Sequence, residues 1–326
     1  MSAMRRVVCL ELGPLDRLVV EDGPDLLPAP HQVVVEVRAA GVNFVDALFV
    51  QGRYQIKPPV PFTPGNEVAG DVIAVGDEVD GVAVGDRVLA SVGLGGYAEQ
   101  VAVPAETVIP LVGAMSYGRA AAMLQSYSTA LFALTRRIAV APGETVLVLG
   151  AGGGVGLATI DVASALGLHT IAAASDDDKL AAARAAGAEH TIRYTDEDLK
   201  VRARELSHGG VDVVVDPVGG AYAEQALRAM TTSGRFLVVG FASGEIPKLP
   251  ANQVLLNNRA VVGVDWGAWA TRNPAENRAL TAELMEALHA GRLDPPEPTA
   301  YPLAEAAKAL ADLEGRRVTG KVVLVP

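Results

Sequence analysis

Apolar residues in the first third of the chain fall in short runs rather than at helical spacing. VVVEVRAAGVN (33–43), EVAGDVIAVGDEV (67–79), GDRVLA (85–90) and YAEQVAV (97–103) are rich in Val and broken by Gly, Pro and Asp. Such runs predict short strands joined by turns, and so a compact β-rich domain from about residue 4 to about 110. Near Ala120 the pattern changes. SYSTALFALTRRI (126–138) predicts a helix, Pro142-Gly143 interrupts it, and apolar strands then alternate with helices. The six predicted strands are ETVLVLG (144–150), HTIAAA (169–174), HTIRY (190–194), VDVVVDPVGG (211–220), GRFLVVGF (234–241) and VVGVDWGAW (261–269). Between them VGLATIDVASALG, DDKLAAARAAGA, DEDLKVRARELS (capped by Thr195) and AYAEQALRAM predict helices. Unbroken apolar strands alternating with helices imply a parallel sheet covered on both faces, the doubly wound nucleotide-binding architecture.

The tail predicts two more helices, AENRALTAELMEALHAG and AEAAKALADLEG, and a closing strand, GKVVLVP. It resembles the opening of the chain more than its middle. The termini are therefore expected to form one domain, 1–125 with 267–326, around a nucleotide-binding domain at 126–266.

Composition narrows the class. The 326 residues are 50% hydrophobic and 20% charged, a globular balance. No apolar stretch of membrane-spanning length is free of glycine or charge, and the first apolar run is too short for a signal peptide. A single cysteine, Cys9, excludes a disulfide within the chain and a thiolate zinc cluster. A cytoplasmic enzyme fits. The formal net charge of −11 argues against a nucleic-acid partner, because phosphate binding draws on Lys and Arg.

The most informative stretch is VLVLGAGGGVGLATI (146–160). A predicted strand runs into five glycines within seven residues, and a predicted helix follows. Aligned on Gly156, the loop reads Ala151-Gly152-Gly153-Gly154-Val155-Gly156, an A-x-G-x-x-G variant of the G-x-G-x-x-G dinucleotide fingerprint. Gly153 lets main chain approach a diphosphate, Gly156 lets helix pack on strand, and the helix N-terminus offers N–H groups. A glycine-rich turn without a ligand is the plainer alternative; the strand–loop–helix order favours the cofactor.

The second strand ends at Ala174-Ser175, and Asp176, Asp177, Asp178 and Lys179 follow. With Ala174 at the discriminating position, no carboxylate repels a 2′-phosphate, and Ser175 and Lys179 can bind it. This favours NADPH over NADH. A shift of two residues would instead place Asp176 on the ribose, and the aspartates also read as caps for the next helix.

Several stretches together resemble the medium-chain dehydrogenase/reductase superfamily and, within it, the zinc-independent quinone oxidoreductases. They are AGVNFVDALFVQGRY (40–54), TPGNEVAGDVIAVG (63–76), GGYAEQ (95–100), GAGGGVG (150–156), GAEHTIRY (187–194), GRFLVVGFASG (234–244) and TGKVVLVP (319–326). The resemblance implies an α/β fold with a GroES-like β-rich catalytic domain and a doubly wound six-stranded Rossmann domain. Zinc-dependent members hold the catalytic metal through a Cys and a His; here those places carry Asn43 or its neighbours and Asn66, which implies no zinc.

The resemblance further implies that Asn43, Asp46 and Tyr54 stand near the nicotinamide, and that Thr129 lies by the cofactor. Gly152, Gly153, Gly154, Val155 and Gly156 would hold the diphosphate. Lys179 and Tyr194 would contact the 2′-phosphate end, Gly240, Phe241, Ala242 and Ser243 the nicotinamide ribose, and Val264 to Trp266 its far side. Plainer readings stand beside these: Asp46 caps a helix, Tyr54 packs on nearby prolines, Tyr194 ends a strand, and Trp266 and Trp269 form pocket wall or subunit interface.

The expected reaction is hydride transfer from NADPH to a quinone, with Tyr54 as hydrogen-bond donor to the developing oxyanion. An NADPH-dependent reductase of enals, enones or enoyl thioesters is the enzymatic alternative, and a non-catalytic NADPH-binding sensor the alternative of another class. A homodimer joined through the last sheet strand is expected, because that strand would otherwise be a bare edge.

Overall fold

The computed structural model describes residues 3–111 and 113–326. Two compact units divide the chain: Met1–Gln125 with Glu297–Pro326, and Ser126–Pro296.

The first unit opens with strands β1 (Ala3–Val8), β2 (Val19–Pro24) and β3 (Gln32–Val42), then a seven-residue helix α1 (Phe44–Val50). Strands β4 (Glu67–Val75), β5 (Arg87–Ser91), β6 (Gln100–Pro104) and β7 (Val108–Pro110) follow. Strands β1 and β2 form an antiparallel pair of their own. Val33, Val35 and Val37 of β3 pack with Val68 and Val72 of β4 in one hydrophobic core, as the Val-rich runs predict.

The division between units falls inside α2 (Tyr117–Phe132). The second unit then alternates: β8 (Thr145–Leu149), α3 (Gly154–Ala165), β9 (His169–Ala174), α4 (Asp177–Ala185), β10 (His190–Arg193), α5 (Leu199–Leu206), β11 (Val211–Asp216), α6 (Tyr222–Ala229) and β12 (Met230–Val238). It closes with α7 (Ala251–Leu255), β13 (Ala260–Gly263), α8 (Trp266–Arg272) and α9 (Pro274–His289). Six strands form one parallel sheet in the order β10-β9-β8-β11-β12-β13. Leu147, Ile171 and Val214, from adjacent strands, are wholly buried, which is why these strands read as unbroken apolar runs. The chain winds outward from β8 through β9 to β10 and returns to β11 on β8's other side. The switch point therefore lies between β8 and β11, where such sheets bind ligands at their C-terminal ends.

The chain re-enters the first unit with β14 (Thr299–Pro302), α10 (Ala306–Glu314) and β15 (Val322–Val325). These complete a seven-stranded sheet in the order β14-β15-β3-β4-β5-β7, with β6 also paired to β3. Among the described residues, no helix is long and apolar enough to cross a membrane.

Four details depart from the sequence reading. Helix α5 is capped not by Thr195 but by Asp198, whose carboxylate accepts the N–H of Val201 at 2.8 Å. Thr195 instead donates to the carbonyl of Ser175. The last strand stops at Gly263, because Asp265 accepts the N–H of Ala268 at 3.0 Å and turns WGAW into helix α8. Strand β12 starts at Met230, the residue at which its preceding helix was expected to end. Residues 267–296 pack with the second unit rather than with the chain termini: Leu280, Leu284 and Leu288 bury one face of α9, Glu283 pairs with Arg136, and Trp266 donates to Asn277.

Candidate active site

In the first unit, polar groups from four elements meet behind the start of α1. Asn43 is the N-cap of α1 and Asp46 its third residue; Asp46 Oδ2 accepts the backbone N–H of Asn43 at 2.8 Å. The same oxygen accepts the Tyr97 hydroxyl at 2.8 Å. Asp46 and Tyr97 are buried, and Oδ1 of Asp46 has no hydrogen-bond partner. Burial pushes the Asp46 carboxyl up to about 7, against the opposing pull of the Asn43 N–H, the Tyr97 hydroxyl and the Lys321 charge. Burial and the neighbouring carboxylate push the Tyr97 phenol well above its usual range. The capping reading of Asp46 therefore describes its contacts.

The Asn43 carboxamide faces the other way. Its Nδ2 donates to Asn66 Oδ1 at 3.0 Å and to Glu67 Oε1 at 2.9 Å. Its Oδ1 accepts from Lys321 Nζ, which also donates to Glu67 Oε1 at 2.9 Å and to the Val42 carbonyl at 3.3 Å. Glu67 Oε2 accepts the backbone N–H of Gln125 at 2.9 Å, and Asn66 Nδ2 donates to Gln125 Oε1. Tyr54 stands in the loop after α1, half-buried, its ring edge-on to Phe49 at 5.0 Å between centroids.

In the second unit the candidate coenzyme residues share one edge. The sheet is parallel, so the C-terminal ends of β8, β9, β10, β11 and β12 all point the same way. They lead respectively into the glycine loop, Ser175 and Lys179, Tyr194, the turn at Pro217–Gly220, and the Gly240–Ser243 loop. The first-turn N–H groups of α3, Gly154 to Gly156, have no preceding turn to bond. The glycines differ in their surroundings. A Cβ on Gly156 would stand 2.4 Å from the Gly150 carbonyl, and one on Gly152 2.4 Å from Lys179 Cβ. A Cβ on Gly153 would meet nothing nearer than 3.4 Å.

Ser175, Asp176 and Lys179 form one cluster. Asp176 caps α4 by accepting the N–H of Lys179 at 3.0 Å. The ammonium of Lys179 donates to Asp176 Oδ2 at 2.7 Å and to Ser175 Oγ at 3.1 Å, and Ser175 donates to Asp176 at 2.8 Å. Burial resists ionisation of Asp176, but these donors together hold its carboxyl down at about 2. The Tyr194 ring lies 4.2 Å from that of Tyr222. Asp216, at the end of β11, takes the N–H groups of Val218 and Gly219, both at 2.8 Å, and burial raises its pKa. Ala242 and Ser243 donate to the carbonyls of Pro217 and Val218, so the two turns lie against each other. Val264 is buried and donates to the Val238 carbonyl. Thr129 is half-buried in α2, and no hydrogen bond among the described residues links it to this edge.

The comparisons with known proteins agree with this layout. Residues 29–113 match the model of the alcohol dehydrogenase GroES-like domain, and residues 154–284 that of the zinc-binding dehydrogenase. The quinone oxidoreductase-like protein 2 of Bos taurus is 40% identical over 323 residues, spanning 98% of this chain and 92% of its own. The chain belongs to the quinone oxidoreductase-like family of the medium-chain dehydrogenase/reductase superfamily. Solved structures in this family include the quinone oxidoreductase of Pseudomonas syringae, with a TM-score of 0.89 at 34% identity, covering 100% of each chain. The Escherichia coli quinone oxidoreductase complexed with NADPH has a TM-score of 0.88 at 30% identity, covering 99% of this chain and 100% of its own. The fold is thus the GroES-like and Rossmann pairing that the sequence motifs imply.

Sequence reasoning passed over Glu67, Tyr97, Gln125, Asp216 and Lys321. Lys321 in particular looks like an ordinary polar residue before a closing strand, and Asn43, its partner, lies 278 positions away.

Proposed function

We propose that this chain is an NADPH-dependent reductase that delivers hydride to a quinone. The observation that carries the coenzyme assignment is the open main chain at Gly153. Packing explains Gly156 but not Gly153, where a side chain would meet only ordinary contacts; a ligand seated against the backbone accounts for it. The NADPH complex of the Escherichia coli relative supports the same reading.

In this reading the loop Gly152–Gly156 holds the diphosphate through the first-turn N–H groups of α3, while the Gly153 N–H closes the turn on the Gly150 carbonyl; Ser175 and Lys179 hold the 2′-phosphate, and Tyr194 the adenosine end. Gly240–Ser243, Val264 and Trp266 flank the nicotinamide side. Bound NADPH supplies the hydride. The protein orients the acceptor and shields it from water, and Tyr54 donates a hydrogen bond to the acceptor oxygen. Asp46 acts at one remove: it holds the start of α1 and thereby Asn43. Zinc does not fit the polar cluster of the first unit. Carboxamides stand at Asn43 and Asn66, and an ammonium already neutralises Glu67, so a dication would meet repulsion instead of ligands. Among the described residues, no three His, Cys, Asp or Glu side chains converge as a metal site requires. A homodimer is part of the proposal, since among the described residues β13 pairs with no strand but β12 and its residues are largely exposed.

The test is a steady-state panel of NADPH and NADH against quinones, enals and enoyl thioesters. NADPH oxidation by quinones in preference to the other acceptors is expected, and Tyr54→Phe should lower turnover at unchanged NADPH affinity. Turnover confined to enals or thioesters would replace the quinone assignment, and NADPH binding without any turnover would point to a sensor.

A further inference from the structure

Resting on that reductase reading, we propose that the carboxamides of Asn66 and Gln125 bind the acceptor oxygen, and that the largely enclosed Lys321 fixes the direction in which they face.

An ammonium can only donate. Lys321 gives its hydrogens to the Val42 carbonyl, Glu67 Oε1 and Asn43 Oδ1. Asn43 must therefore turn its oxygen toward Lys321 and its Nδ2 away. Both hydrogens of that Nδ2 are used, one on Glu67 Oε1 and one on Asn66 Oδ1. Asn66 is thereby oriented too, and its own Nδ2 donates to Gln125 Oε1. Gln125 must then turn its Nε2 outward. Reversing any one amide would set donor against donor or acceptor against acceptor, which is costly where little water can reach. Glu67 closes the pattern by accepting from Lys321, Asn43 and the Gln125 backbone.

The chain has a direction. It starts at a cation whose side chain is 11% exposed and ends at two half-buried side chains, Asn66 and Gln125. At that end stand the second hydrogen of Asn66 Nδ2 and both hydrogens of Gln125 Nε2. Neutral donors fixed in advance are suited to an oxygen that is uncharged on arrival and gains negative charge during reaction. The reaction consumes one quinone, one NADPH and one proton and yields hydroquinone and NADP⁺. The hydride brings two electrons to the ring, the oxygen takes up the charge and then one proton from water, and the ring hydrogen leaves as a proton while the second oxygen gains one, so that one proton is consumed overall. Lys321 and Glu67 touch neither reactant; they are positioning residues.

Gln125→Met removes the terminal donors at a half-buried position. With 1,4-naphthoquinone and NADPH, kcat should fall by about 10²-fold, while NADPH affinity, read by fluorescence titration, stays unchanged. Difference infrared spectra of bound, carbonyl-labelled naphthoquinone give a second readout: the stretch should lie at lower wavenumber in wild type than in Gln125→Met. Lys321→Met leaves Glu67 without its counter-charge, so the double variant Lys321→Met/Glu67→Gln is the companion; it should lose kcat and shift the stretch like Gln125→Met, with little further loss when the two are combined. Wild-type turnover retained within twofold in Gln125→Met, or an unshifted carbonyl stretch, would overturn the proposal. A wild type that reduces no quinone would instead overturn the reductase reading itself.

Discussion

The ammonium of Lys321 lies 2.9 Å from the carboxylate of Glu67, and the two side chains are only 11% and 3% exposed. A buried pair of this kind is costly to break and cheap to replace whole, because removing one partner strands the other's charge. Lys321→Met is expected to destabilise the protein by about 3–5 kcal/mol, and Lys321→Met/Glu67→Gln to recover most of that. Urea unfolding of both variants measures it; equal stability of the two would show that the charges are not coupled.

Asp46 makes stability depend on pH. Its carboxyl is raised from the ordinary 3.8 to about 7, chiefly by burial, with Tyr97, Lys321 and Glu67 as its ionisable neighbours. The folded state therefore keeps a proton that the unfolded chain releases near pH 4. The contribution of this group is complete below pH 4 and declines as pH rises to about 7, by about 1.4 kcal/mol per unit. Asp46→Asn cannot ionise, so the stability difference between wild type and variant should narrow or widen steadily across that window and level off above it. A difference that is flat from pH 4 to 8 would contradict the assignment.

Two glycines three residues apart should respond oppositely to alanine. Gly156→Ala drives a Cβ into the main chain at Gly150 and Ala151 and should cost about 2–4 kcal/mol of stability. Gly153→Ala has room and an extended backbone, so its melting temperature should match wild type while NADPH affinity falls at least about tenfold, or ~1.4 kcal/mol. Thermal melts with and without NADPH separate the two outcomes; unaltered NADPH affinity in Gly153→Ala would remove the ligand from that position.

Lys179 divides its charge between Asp176 and the proposed 2′-phosphate. Asp176→Asn keeps a residue able to cap α4 but removes the competing carboxylate. The preference for NADPH over NADH, as a ratio of kcat/KM, should rise about fivefold, near 1 kcal/mol for a partly exposed pair. Lys179→Ala should lower the same ratio. No movement in either variant would take Lys179 out of coenzyme selection.

Local pattern made the strands and helices of the second unit legible, because buried parallel strands announce themselves as unbroken Val and Ile runs. It also exposed the glycine loop, whose residues are contiguous. What stayed hidden was set by competition or by distance. Asp198 displaced Thr195 as the cap of α5, and Asp265 converted an apolar run into α8, because a side-chain oxygen three residues before a free N–H outweighs apolar character. Residues 267–296 were misplaced because the apolar face of α9 is visible in sequence while the surface that buries it is not. The Lys321 cluster joins residues from β3, β4, α2 and the approach to β15, and no periodicity relates them.

The first unit has a strand, β3, whose partner β15 is encoded some 280 residues later. During synthesis at ~5–20 residues per second, Asn43 must wait roughly 14–56 s before Lys321 exists. Over that interval the N-terminal half leaves the ribosome with one flank of its sheet uncovered and Glu67 without its counter-charge, a natural place for a chaperone to act.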